Sequence, residues 1–189
     1  LHLSLRRQRQ MCIRDRNYGE HDIKIVNIDE AGSIDYIVYG YMNRGIHEGT
    51  VGIAVYHYDS LANTNEEQVF IPSSQSYEVM KSELGQLMYV TESGAFYIMV
   101  DGNVYGIDLN SLDTKVLVEG LSDEAVAISE SNRFLAWVDP SAIRGSGTIH
   151  IIDFVTEKVT DVTESTSDYV KPLGFMQEDF VYGLSLIHI

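Results

Sequence analysis

Two stretches of this chain repeat one pattern 45 residues apart. "GNVYGIDL" starts at Gly102 and "GTIHIIDF" starts at Gly147. Asp108 and Asp153 keep that spacing, and so do Asp123 and Asp168. Val104, Tyr105 and Ile107 of the first copy are answered by Ile149, His150 and Ile152 of the second. "AISESNRFLAWV" and "PLGFMQEDFVYG" then occupy corresponding places, and an earlier copy, "GIAVYHYD", ends at Asp59, 49 residues before Asp108. A segment that recurs at this length acts as one supersecondary unit, burying its faces against neighbours of the same kind.

The runs inside each unit are strands. "SIDYIVYGYM", "VGIAVYHY", "AFYIMV", "RFLAWV" and "TIHIID" are rich in Tyr, Val and Ile, the residues that suit a pleated, half-buried surface. Gly, Asn, Asp and Ser separate them, and Asp101-Gly102-Asn103 is a tight hairpin signal. Four strands per period of about 40–45 residues is the pattern of propeller blades. The fold class expected is all-β: a partial β-propeller of about three four-stranded antiparallel blades plus the start of a fourth. The blades fall at about 22–72, 86–119, 124–163 and 170–183. One short helix is expected near 76–85, where "SYEVMKSELG" sets Tyr77, Met80 and Leu84 on one stripe. Ser76 caps it and Gly85 stops it.

"SESNRFLAWV" followed by "GTIHIIDFVTEKVTDVT" resembles a blade of the TolB-like and WD-repeat proteins. In those blades the second strand follows a polar turn, and the third ends in an aspartate before a turn. The usual Ser-Pro-Asp-Gly turn is replaced here by Ser129-Glu130-Ser131-Asn132. The Trp-Asp ending of true WD repeats is replaced by Ile107-Asp108 and Ile152-Asp153. The resemblance implies a fold and, through the TolB-like likeness, a bacterial cell-envelope setting.

The two ends read differently from the middle. The codons CTG TCT CTT ATA CAC AT write residues 184–189, and their reverse complement reads Met-Cys-Ile-Arg-Asp, as at Met11 to Asp15. Arg6 to Gln10 matches the adjoining part of the same DNA element, which resembles a sequencing-library adapter. Residues 1–16 and 184–189 are therefore read as adapter-derived and excluded from fold reasoning, leaving 17–183 as the propeller fragment. Without the head, 8 of the 13 basic and 27 of the 28 acidic groups remain, a net charge of −19. Such a surface disfavours nucleic acid, whose phosphates are bound by Lys and Arg. It suits solubility, divalent cations or basic partners, and the partner expected is a protein or a cell-wall ligand. No run is long and apolar enough for a membrane segment. The only cysteine, Cys12, lies in the head, so 17–183 holds no thiol nucleophile or cysteine metal site.

A few residues are candidates for chemistry. Asn27, Asp29 and Asp35 flank Gly32 in a turn similar to a calcium loop, because hard cations take several oxygens from a sharp bend. Ala31 stands where another ligand belongs, and the alternative is a hairpin turn. No other cofactor is indicated. Arg44, His47 and Glu48 lie in the glycine-bounded loop "RGIHEG", a possible binding loop on a β scaffold, with His47 and Glu48 as a candidate acid–base pair. His57 and His150 sit inside strands, where hydrogen bonding within the sheet is the simpler role. Asp108 and Asp153 recur in phase, which marks turns closed by carboxylates. "IRGSGT" at 143–148 lacks the lysine and the helix of a phosphate cradle. The clustered tyrosines, among them Tyr36, Tyr39, Tyr56 and Tyr97, fit cross-strand packing or an aromatic recognition face.

No Gly-x-Ser-x-Gly elbow or paired histidines at helical spacing appear. The expectation is a non-catalytic binding or scaffold propeller. One alternative is the regulatory propeller of a larger serine hydrolase whose catalytic domain is missing. Another is an enzyme with its site in the propeller channel.

Overall fold

Alternating β-branched and aromatic residues dictate strands, and strands are what form. The structure, a computed structural model, describes residues 20–139, 147–163 and 169–185. Residues 1–16, Asp168, most of the 143–148 loop and the last four residues of the 184–189 tail lie outside them. Sheet I is β1 (His21–Ile28), β2 (Ile34–Tyr41), β3 (Val51–Asp59) and β4 (Thr64–Pro72). Sheet II is β5 (Met88–Val90), β6 (Ala95–Val100), β7 (Asn103–Asp108) and β8 (Thr114–Val118). Sheet III is β9 (Val126–Ile128), β10 (Phe134–Val138), β11 (Thr148–Asp153) and β12 (Lys158–Thr163). Sheet IV is the pair β13 (Tyr169–Met176) and β14 (Asp179–Ser185), so Leu184 and Ser185 of the tail belong to its second strand. Every sheet is an antiparallel meander in chain order.

The three four-stranded sheets share their turns, which is the physical content of the sequence repeat. Between the first two strands, Asp29 N donates to Ser33 O, Thr91 N to Ala95 O, and Ser129 N to Phe134 O, at 2.8–3.0 Å. In each turn a side-chain oxygen also takes the returning amide: Asp29 Oδ1 from Ser33, Thr91 Oγ1 from Ala95, Ser129 Oγ from Phe134. After the third strand an aspartate closes the next turn. Asp59 accepts from Leu61 N and Ala62 N, Asp108 from Asn110 N and Ser111 N, and Asp153 from Val155 N. These amides hold the carboxyls of Asp59 and Asp108 below the usual carboxylate range.

The chain divides between Ser82 and Glu83 into two compact units, within helix α1 (Tyr77–Gln86). In the first unit the core is one face of sheet I: Ile37, Tyr39, Ile53, Val55 and Ile71 are buried. In the second, sheets II, III and IV pack face to face in succession. Tyr97, Met99 and Val104 of sheet II meet Leu135, Ile152 and Phe154 of sheet III. The other face of sheet III, with Ala136, Val138 and Ile149, meets Val170 of β13. Four-stranded meanders stacked through alternate residues are the blades of a β-propeller, here a partial one.

Helix α1 departs from expectation at its end. Ser76 caps it, accepting from Val79 N at 3.4 Å, and Met80 and Leu84 are buried. Gly85 does not stop it: the helix runs to Gln86, and Leu87 N still donates to Glu83 O at 3.1 Å. Leu84 and Leu87 are both fully buried beside that glycine, so burial outweighs the roughly 1 kcal/mol that a helical glycine costs.

Candidate functional site

In the first unit, chemistry-bearing side chains gather over β3 and β4. Glu67 of β4 is the hub. Tyr56 of β3 donates its hydroxyl to Glu67 Oε2 at 2.8 Å, and His47 Nε2 lies 2.7 Å from Glu67 Oε1. The His47 ring stacks on Phe70 at 3.7 Å, and Tyr56 stacks on Tyr36 at 5.3 Å. Tyr36 in turn accepts from Asn65 Nδ2 at 2.7 Å. Burial first, then the bond to Glu67, pushes the Tyr56 hydroxyl up to about 12. Loop 43–50 is thereby tied to the sheet through His47, and its base is closed by Gly49 N donating to Met42 O. Glu48 neighbours His47 in sequence, and across the sheet Glu67 Oε1 meets His47 Nε2. Glu67 is reachable from sequence only by folding the β3–β4 hairpin in register, and a bulge between Val55 and Tyr56 shifts that register.

The calcium candidates are brought together only in part. Asn27 Nδ2 donates to Asp35 Oδ2 at 3.3 Å. Asp35 Oδ1 lies 2.7 Å from His57 Nδ1, directly opposite it across β2 and β3. Asp29 sits in the hairpin, its Oδ1 engaged by the Ser33 amide, the role that Thr91 and Ser129 play in the later sheets. Among the described residues no group of three or more His, Cys, Asp or Glu is placed to hold a metal ion.

In the second unit the polar groups join neighbouring sheets. Glu157, in the β11–β12 turn of sheet III, accepts from Tyr97 Oη at 2.6 Å and from Lys115 Nζ at 2.9 Å, both in sheet II. Arg133 forks onto Asp153 at 2.9 and 3.0 Å and reaches Glu178 of sheet IV at 3.8 Å. The Tyr97 hydroxyl and the Lys115 ammonium hold Glu157 below the usual carboxylate range, and Arg133 does the same for Asp153. His150 lies 2.7 Å from Asp161, opposite it on β12. Beside Glu157 lies a cavity of about 330 Å³ lined by Ala95, Tyr97, Gly106, Asp108, Asp113 and Lys115, among others. Among the described residues no helix is long and apolar enough to cross a membrane.

The sheets define a class: an all-β repeat protein built of propeller-type blades, with its charged groups arranged as links within and between sheets. No protein-family model matches the chain, and no curated protein matches it. Among solved structures it is similar to the crystal structure of the tricorn protease, at 18% identity and a TM-score of 0.37, over 77% of this chain and 13% of that one. It is also similar to the crystal structure of oligogalacturonate lyase from Vibrio parahaemolyticus, at 7% identity and a TM-score of 0.34, over 87% of this chain and 53% of that one. The chain thus spans about half the length of one and about an eighth of the other.

Proposed function

We propose that this chain is part of a non-catalytic binding or scaffold propeller of the bacterial cell envelope, presenting a protein or a cell-wall ligand to its loops. The observation that carries the reading is the employment of the ionisable side chains. His57 and His150 are each held by a carboxylate on the facing strand. Asp59, Asp108 and Asp153 close turns. Arg133 and Glu157 link one sheet to the next. Groups so engaged stiffen a framework, and a rigid framework reduces the ordering cost of binding. The envelope setting rests on the TolB-like blade pattern, and a basic partner on the net charge of −15.

The test is to incubate the purified chain with insoluble cell-wall polymer and follow both sedimentation and soluble product. Co-sedimentation without released product supports the proposal. Catalytic release of fragments, or no partition into the pellet at any salt concentration, overturns it.

A further inference from the structure

The repeat allows one sheet junction to be compared with the next, position by position. Ala95 pairs with Asp108 in sheet II just as Phe134 pairs with Asp153 in sheet III. Gly106 pairs with Tyr97 and Lys115, as Ile151 pairs with Ala136 and Thr160. In the junction of sheets III and IV these positions are filled. Phe134 stacks on Phe175 at 6.1 Å, and Ile151 joins the apolar cluster. In the junction of sheets II and III the same two positions hold Ala95 and Gly106, and the cavity of about 330 Å³ stands there. A packing fault would be lined by apolar groups and stay dry. This lining carries Asp108, Asp113, Thr114, Lys115 and Glu157 as well as Tyr97 and Ile107.

We propose that this cavity is a binding site for a neutral polyol of monosaccharide size; the assignment rests on the binding-module reading above. The volume is at the low end of ligand pockets, about 300–1,000 Å³, enough for one sugar ring. A ring bearing many hydroxyls needs acceptors and donors alternating around it, with an apolar floor beneath. Asp108 is engaged in its own turn, while Asp113 uses Oδ2 for Ser111 and offers its other oxygen as an acceptor. Lys115, half exposed, supplies a donor while the Glu157 carboxylate balances its charge. That balance disfavours a free anion as the ligand. Ala95 and Gly106, on the same face of sheet II, form the floor. A side chain at Gly106 would press on the Tyr97 ring at 3.2 Å and on Lys115 Cε at 3.3 Å, so the glycine keeps this wall open.

The test uses the isotope-labelled whole chain, with amide shifts followed on titration with glucose, galactose and N-acetylglucosamine, and with propylammonium and acetate as controls. Saturable shifts confined to residues around Gly106, Asp108 and Lys115 with at least one sugar are expected. The double substitution Ala95→Phe and Gly106→Ile, which copies the filled junction, should abolish them. Asp113→Asn, on an exposed side chain, should weaken binding at least fivefold with an unchanged melting temperature, and it serves if the filled variant does not fold. No saturable shift with any sugar overturns the proposal, as do shifts that survive the filling substitutions. Saturation by propylammonium or acetate alone overturns the ligand class. Failure here leaves co-sedimentation of the whole chain with cell-wall polymer intact, whereas loss of co-sedimentation with sugar binding retained defeats the broader reading instead.

Discussion

The hydroxyl of Tyr97 lies 2.6 Å from Glu157 Oε1, across 60 residues of sequence and from one sheet to the next. Tyr97 is almost fully buried, with its ring stacked on Phe154 at 4.5 Å, while the Glu157 side chain is 48% exposed and also holds Lys115. Burial and the bond to Glu157 together raise the Tyr97 hydroxyl well above its ordinary range. One turn of sheet III is thus fastened to the middle of sheet II.

Removing the hydroxyl tests that fastening. Tyr97→Phe keeps the ring packing and loses a bond to a charged group. Because Glu157 can return to water, the cost lies at the low end for such bonds, about 1.5 kcal/mol. Urea unfolding should show the midpoint falling with an unchanged slope. In a double-mutant cycle with Glu157→Gln, the two losses should not add.

Acid should loosen the second unit through its depressed carboxyls. Asp153 and Glu157 both titrate below their ordinary values in the folded chain. Their stabilisation is therefore complete above the unfolded pKa values, about 3.9 for Asp and 4.3 for Glu. It is lost as pH falls through the lower folded values. Melting temperature against pH should bend downward below about pH 4. Asp153→Asn should flatten that acid limb, and a limb unchanged in the variant would remove Asp153 from the account.

Glu67 holds two partners at once, so its removal should be read at both. Glu67→Ala should lower the Tyr56 hydroxyl from about 12. It should not return to the ordinary value, because burial is the larger cause of the shift. Ultraviolet titration of the phenolate measures this. The Gly49 amide, which closes loop 43–50 on Met42, should exchange about fivefold faster, the equivalent of about 1 kcal/mol.

Two glycines with left-handed backbones should respond differently to alanine. Gly102 has φ +70°, and a Cβ there would meet Leu121 O at 2.6 Å. Gly45 has φ +83° with open space around it. Gly102→Ala should cost more than about 2 kcal/mol, the conformational penalty plus the clash. Gly45→Ala should cost about 1 kcal/mol, the conformational penalty alone. Equal losses in thermal unfolding would show that the close approach at Gly102 relaxes freely.

The sequence by itself determined the rhythm. Apolar alternation gave the strands, and the recurring aspartates gave the turns, because both depend on residues within a few positions of each other. The turn roles of Asp108 and Asp153 were legible for that reason, and the in-sheet roles of His57 and His150 were legible from their places inside strands. Tertiary structure alone decided the rest. Glu67 as the partner of His47, Glu157 as the partner of Tyr97 and Lys115, and the extension of the helix past Gly85 all depend on groups brought close by hairpin register or sheet stacking. So does the cavity over Ala95 and Gly106, since a small residue leaves a void only when the neighbouring sheet does not fill it. Hydrogen bonds and packing act over a few ångströms in space, and spacing along a chain reports that proximity only within one turn or hairpin.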